Sequence, residues 1–294
     1  MMAGPNEIRR HISAVEQTMK ITGAMEMVSS NRMRRVMGHI EHNRRYFSNI
    51  RRAMKEVLTT AQGVSHPYLR ERPEGSCAYI VISGDKGLCG SYNSSVLGMA
   101  MERILSSPKR HIITIGNTAE EFFRRRGLQP DISFLGIAQD PTLHNARILS
   151  REVMNLYDSG MMSEIRIVYT SFYGDTRNKP VDFRLLPIIL HDYSDVTDTE
   201  TLSEIEYHLP PQSLFDMLVP QYVLGLMFGV MVQAYASEHY ARMNAMRSST
   251  SNARDMLRDL RIEYNLARQS AITNEIAEIT GSAEILKGGD SHGR

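Results

Sequence analysis

At 294 residues and 42% apolar content, the chain is long enough for one large domain or two smaller ones. Its 34 basic and 33 acidic residues leave a formal charge of +1, without the basic excess of a dedicated nucleic-acid binder. Two cysteines, Cys77 and Cys89, make no disulfide framework and fit a reducing compartment.

The opening Met-Met-Ala-Gly-Pro-Asn-Glu lacks the apolar core of a signal peptide. From residue 6 to residue 60 there is no Pro, and Gly23 and Gly38 are the only glycines. On a strict 4-3 heptad grid the seam reads Ile8, Ile12, Val15, Met19, Thr22, Glu26, Ser29, Met33, Val36, Ile40, Asn43, Phe47, Ile50, Met54 and Val57. Eleven of these fifteen are apolar, against about six expected from the composition. The charges Arg9, Arg10, Arg34, Arg35, Arg44, Arg45, Arg51 and Arg52 fall off the seam. A seam spaced at 3.5 residues predicts a supercoiled helix. Fifty-odd residues would make a rod of roughly 80 Å.

The middle of the chain has a different pattern. Cys77 to Ser83, His111 to Ile115 and Ile165 to Thr170 are short β-rich runs. Helical segments lie between them, around Ser94 to Leu105, Thr118 to Arg126 and Thr142 to Tyr157. Strands alternating with helices predict a mainly parallel sheet with right-handed crossovers, and Val181 to Leu190 reads as a further edge strand. Asp192 to Glu206 is acidic and polar and reads as a loop.

The C-terminal part returns to rod grammar. Pro220 suits a first helical turn, and no helix breaker follows until the Gly288-Gly289 pair. The stretch Val223 to Ala236 is apolar, but Gly225, Gly229 and Gln233 interrupt it, and it reads as too short to span a bilayer. The sequence thus predicts a soluble chain whose membrane association comes through a partner. Met243, Met246, Thr250, Ala253, Leu257, Leu260, Tyr264 and Ala267 continue a 3-4 seam. At Arg268-Gln269 the phase slips by one residue, and Ile272, Ile276, Ile279, Ala283 and Leu286 resume it.

The expected fold is therefore α/β: a long antiparallel coiled coil of the N- and C-terminal helices with an inserted Rossmann-like α/β domain. The expected domains are 1–62, 63–210 and 211–294. Aligning Val57 with Gln221 puts the start of the first rod opposite about residue 272. The last dozen residues then form a lone helix whose isoleucines need an outside partner.

Little chemistry survives inspection. Ser83 to Gly90 (SGDKGLCG) sits between a strand and a helix, where phosphate loops occur. Its glycines lack dinucleotide spacing, and Lys86 is not followed by Ser or Thr as a P-loop requires. A tight strand-to-helix turn accounts for it better. Cys89 has no identified base, the ten His residues match no metal spacing, and His11 and His239 read as helix-surface residues. No catalytic residue, cofactor or metal is predicted.

Three segments do carry a resemblance. The run from Glu7 (EIRRHISAVEQTMKITGAMEMVSSNRMRR), the loop SGDKGLCGSYN and the run from Ala236 (ASEHYARMNAMRSSTSNARDMLRDLRIEYNLARQSAITNEIAEITGSAEIL) are similar to ATP synthase gamma subunits, in order and at the expected spacing. The resemblance implies a rotor shaft, one copy per complex, inside a ring of alpha and beta subunits. Its α/β foot would stand beside the epsilon subunit and the membrane rotor ring of c subunits. It implies that Arg268, Gln269 and the nearby Thr273 meet a beta-subunit loop, and that Met25 lies next to beta. Ala271 to Leu286, with Ile272, Ile276 and Ile279, would form the tip in an apolar sleeve. The chain departs from the family at Gly23, where Lys is common, and at Ser29-Ser30-Asn31, where Ala is common. Tyr207-His208 stands where an aromatic followed by an acid would meet the rotor ring. With no transit peptide and no cysteine-bearing insert, the resemblance implies a bacterial form at the cytoplasmic side of the cell membrane. The rivals are a coiled-coil scaffold, possible if the rods pair between chains, and a small-molecule enzyme, which would need a polar pocket with a poised base.

Overall fold

The computed structural model describes residues 4–60, 66–72, 74–174, 178–189 and 210–289, with backbone alone for 60, 211 and 281–289. The elements in order are α1 (Pro5–Thr60), β1 (Ser76–Ile82), α2 (Tyr92–Ser106), β2 (Arg110–Ile115), α3 (Asn117–Arg124) and β3 (Ile132–Phe134). They continue with α4 (Leu143–Asp158), β4 (Met162–Ser171), β5 (Lys179–Leu186) and α5 (Pro211–Gly289). The chain divides into two compact units: Ser29–Met243, and Met1–Val28 with Asn244–Arg294.

In the unit Ser29–Met243, five strands form one sheet in the order β3-β2-β1-β4-β5. The first four are parallel and β5 runs antiparallel beside β4. The helices α2, α3 and α4 are the crossovers that parallel strands require. The central strand β1 is buried on both faces, and its side chains alternate between them as a period of two dictates. Ala78, Ile80 and Ile82 join a core with Leu149 and Val153 of α4. Tyr79 and Val81 join a second core with Val96 and Leu97 of α2 and Phe123 of α3.

The first core also takes in both long helices. Val36, Ile50, Met54 and Val57 of α1 belong to it, as do Phe215, Val223, Met227, Val230 and Met231 of α5. The helices run antiparallel: Phe47 stacks on Tyr222 at 5.3 Å between ring centroids, and His39 meets Phe228 edge-on at 6.2 Å. Gly225 and Gly229 permit this closeness. A Cβ on Gly229 would run into the Asn43 amide, and one on Gly225 would lie 3.0 Å from the Tyr46 ring.

In the unit Met1–Val28 with Asn244–Arg294, Ile8 and Val15 pack against Ala253, Leu257 and Leu260, flanked by Tyr264 and Ala267. Arg247 reaches Glu26 at 2.8 Å and Arg261 reaches Glu16 at 3.0 Å, again in antiparallel order. Such exposed pairs contribute at most about 1 kcal/mol each, so the buried seam holds the helices together. Along α1 every seventh residue is buried, Ile8, Val15 and Thr22 in this unit and Ser29, Val36, Ile50 and Val57 in the other; Asn43 alone is half-buried.

The structure corrects several expectations. α5 begins at Pro211, which takes the first-turn position, and Pro220 lies inside the helix. Burial of Phe215, Val219 and Tyr222 in the core outweighs the hydrogen bond that Pro220 cannot donate. The earlier start shifts the pairing: Tyr46 Oη donates to Gln221 at 3.0 Å, so Gln221 faces Tyr46 and not Val57. The start of α1 lies against Tyr264 and Ala267, short of residue 272. α5 is also long and apolar enough, by length and composition, to cross a membrane. Most of its apolar stretch is nevertheless buried against the chain's own sheet and α1, as a core helix would be. The short strand β3 was not expected, and the expected loop 192–206 lies outside the described residues.

Candidate functional site

The expected contact residues occupy two stretches of the helical pair. Met25 is half-buried on α1, close in the pairing order to the Glu26–Arg247 ion pair. Arg268, Gln269, Ile272, Thr273, Ile276 and Ile279 occupy consecutive turns of α5 beyond Ala267, the last residue of the buried seam. Some 21 residues of helix separate Arg247 from Arg268, about 30 Å at the α-helical rise, so Met25 and the Arg268 group are distinct contacts.

Among the described residues, the apolar seam with α1 ends at Ala267. Arg268 and Gln269 are exposed, and Thr273 Oγ1 donates to the Gln269 carbonyl at 2.9 Å. Ile272, Ile276 and Ile279 are 45%, 59% and 69% exposed. Their spacing of four and three puts them on one face with Arg268. An isolated helix gains little stability from propensity alone, so an apolar face left open in this way fits a helix that is covered by something else. Tyr207 and His208 lie outside the described residues, as do the side chains of Ala283 and Leu286.

In the turn after β1, where a phosphate loop would stand, carboxylates of the chain lie against the backbone. Gly84 faces the Glu238 carboxylate so closely that a Cβ there would stand 2.8 Å from its carboxyl carbon. Asp85 Oδ1 accepts from the first amide of α3, Asn117 N–H, at 2.8 Å, and Asp85 Oδ2 accepts from Gln139 at 2.9 Å. A helix N-terminus and a glycine turn could hold an anion, but here carboxylates of the chain already occupy both places. Cys89 is buried, and burial pushes its thiol above the ordinary range, the opposite of an activated nucleophile. Among the described residues no group of His, Cys, Asp and Glu could hold a metal ion.

Sequence reading overlooked the partners of this turn. Arg242 of α5 donates through Nη2 to the Gly87 and Lys86 carbonyls at 3.1 and 3.3 Å, and to Glu238 Oε1 at 2.6 Å. Glu238, His239 and Arg242 are 6%, 4% and 7% exposed, so His239 is a core residue and not the surface residue expected. Burial raises the Glu238 carboxyl while Arg242 pulls it back down. Burial, with repulsion from Arg242 and Arg32, lowers His239 to about 3. The spacing Glu238 to Arg242, one turn apart, was the available signal; that both residues face inward was not.

Antiparallel helices packed on an inserted sheet, and an exposed isoleucine face at one helix end, fit a subunit of a larger assembly. A family model described as ATP synthase matches residues 5–286, so the chain is an ATP synthase subunit. It is 35% identical over 289 residues to the ATP synthase gamma chain of Alkaliphilus metalliredigens, covering 98% of this chain and 100% of that one. It is 34% identical over 291 residues to the ATP synthase gamma chain of Symbiobacterium thermophilum, with the same coverage. The chain belongs to the ATP synthase gamma chain family. Its fold matches a chain of the Euglena gracilis mitochondrial ATP synthase with TM-score 0.68 at 16% identity, over 99% of this chain and 97% of that one. A chain of the Tetrahymena thermophila mitochondrial ATP synthase central stalk matches with TM-score 0.56 at 20% identity, over 78% and 98%.

Proposed function

We propose that this subunit is the turning shaft of a bacterial ATP synthase, converting ion flow through a membrane rotor ring into ATP synthesis, or the reverse. Its partners are the alpha and beta subunits around the helical pair, and the epsilon subunit and the c subunits of the rotor ring at the α/β unit. It sits at the cytoplasmic side of the cell membrane as a peripheral protein, one copy per complex. The expected division at residues 62 and 210 separates the shaft helices from the foot.

The observation that carries the reading is the exposed isoleucine face at the end of α5. Arg268 and Gln269 are exposed at the turn where the seam with α1 ends, followed by that face. Within the proposed complex Ile272, Ile276 and Ile279 turn in an apolar sleeve of the ring. Arg268, Gln269 and Thr273 meet a loop of one beta subunit, and Met25 passes a second surface of beta. Tyr207 and His208 lie toward the rotor ring. A guanidinium fork and an amide suit carboxylates and carbonyls on such a loop. A long unbranched Met can pass a partner without fixed bonds. Purification from native membranes through an affinity tag on this chain is the test. Recovery with three alpha and three beta subunits per chain supports the reading; recovery as a homodimer free of them overturns it.

A further inference from the structure

In open α/β sheets, ligands bind beyond the C-terminal ends of the strands, where the strand order reverses. Here that point lies between β1, whose connections lead to β2 and β3 on one side, and β4 on the other. Polar side chains of α5 reach the strand ends there. Ser171 Oγ, at the end of β4, donates to Gln233 Oε1 at 2.8 Å. Ser237 Oγ donates to the Thr170 carbonyl at 3.2 Å. Arg242, held by Glu238, donates to the carbonyls of Lys86 and Gly87 in the turn after β1. Ser237 is fully buried and Glu238 and Arg242 nearly so. Residues 233 and 237, and again 238 and 242, are one turn apart, so the four form two pairs that meet the sheet from two sides of the helix.

The rest of the joint between α5 and the sheet is apolar: Val223, Met227, Val230 and Met231 against Ile80, Ile82, Ile165 and Ile167. Apolar contact holds surfaces together but is non-directional, so it resists twisting of a helix about its own axis weakly. Hydrogen bonds are directional, and a guanidinium fork on two carbonyls fixes an angle. We infer that Gln233, Ser237, Glu238 and Arg242 are positioning residues that lock α5 against rotation relative to the α/β sheet, making these contacts the torque-bearing joint of the subunit. The inference rests on the shaft reading above.

The test uses the whole complex in sealed vesicles, measuring ions transported per ATP hydrolysed as the opposing ion gradient is raised. The double variant Glu238→Gln with Arg242→Met removes the fork without stranding a buried charge. Ser237→Ala and Arg242→Lys are milder variants in case the double variant does not assemble. The expected result is ATP hydrolysis within twofold of wild type, with ions per ATP falling at least threefold at high opposing gradient, and less for Arg242→Lys. A merely structural set of contacts would lower the amount of assembled complex and leave that ratio untouched. Assembled variants with the wild-type ratio at every gradient overturn the joint. A wild-type complex that moves no ions on ATP hydrolysis would instead overturn the shaft reading itself.

Discussion

The hydroxyls of Thr22 and Thr250 meet at 2.7 Å across the buried seam of the helical pair. Thr22 Oγ1 also lies 3.2 Å from the Met19 carbonyl and Thr250 Oγ1 lies 2.9 Å from the Met246 carbonyl. Two hydroxyl protons cannot serve three acceptors, so one of these contacts is always an oxygen facing an oxygen. Thr22→Val alone takes the contact across the seam from Thr250 Oγ1, leaving it only the Met246 carbonyl, and should cost about 1 kcal/mol. Replacing both threonines with Val removes two polar groups at nearly constant shape and should be neutral or stabilising. Thermal melts of the two singles and the double form a mutant cycle. Costs of the singles that simply add in the double would contradict this account.

Two glycines with crowded neighbours should respond oppositely to alanine. Gly116, in the turn from β2 to α3, has φ 101°, and a Cβ there would collide with the backbone carbonyl of Ser83. Neither the backbone angle nor that obstacle can yield cheaply, so Gly116→Ala should lose about 2–3 kcal/mol or more. The obstacle at Gly229 is the end of the Asn43 side chain, which can be removed. In an Asn43→Ala background, Gly229→Ala should gain about 1 kcal/mol from helix propensity. Denaturant unfolding of the isolated chain decides both, and a loss at Gly229 in that background would show that the α1 backbone itself is the obstacle.

The seam of α1 was legible because a rigid period of seven is imposed by one face meeting one partner, and Ile8 to Val57 obey it. Strands β1, β2 and β4 were legible because both faces are buried, so their apolar runs are continuous. β3 was not: Ile132–Phe134 is three residues, too short to show a period. The start of α5 was misplaced because Pro220 is a local signal overruled by burial of its neighbours. The phase slip at Arg268 could be read directly, since it marks the end of the seam in sequence as in space. The fork of Arg242 could not, because its carbonyl partners lie some 155 positions away. Backbone carbonyls also leave no trace in side-chain pattern.

His239 makes stability depend on pH in a defined direction. Folded, its imidazole stays neutral down to about pH 3, whereas the unfolded chain protonates it below its ordinary 6.5. Between these values the unfolded state binds more protons, so stability falls as pH falls. Glu238, whose carboxyl is raised in the fold, has the opposite slope. The contribution of His239 is therefore read as a difference between wild type and His239→Leu. The variant should lose less stability between pH 6.5 and 4, by up to about 1.4 kcal/mol per unit. Parallel unfolding curves for the two chains across that range would mean that His239 is reached by water.

Arg268 and Gln269 are exposed, so replacing both with Ala should leave the isolated chain as helical and as stable as before, within about 0.5 kcal/mol. In the assembled complex their loss should lower ATP turnover tenfold or more, because charged hydrogen bonds shielded by a partner are worth about 1.5–3 kcal/mol each. Turnover of purified complex is compared with its subunit stoichiometry. Normal turnover in a fully assembled double variant would leave the phase slip as a structural detail.

The central claim, that this subunit turns within a fixed ring, is tested by watching it turn. A cysteine in place of exposed Gln129 can carry a visible probe on the α/β unit. The native thiols should compete poorly, since Cys89 is buried and burial pushes Cys77 up to about 11. With the alpha–beta ring fixed to a surface and ATP supplied, the account predicts that the probe rotates in one direction, pausing at three positions per turn. A probe that stays still while the same molecules hydrolyse ATP would contradict it.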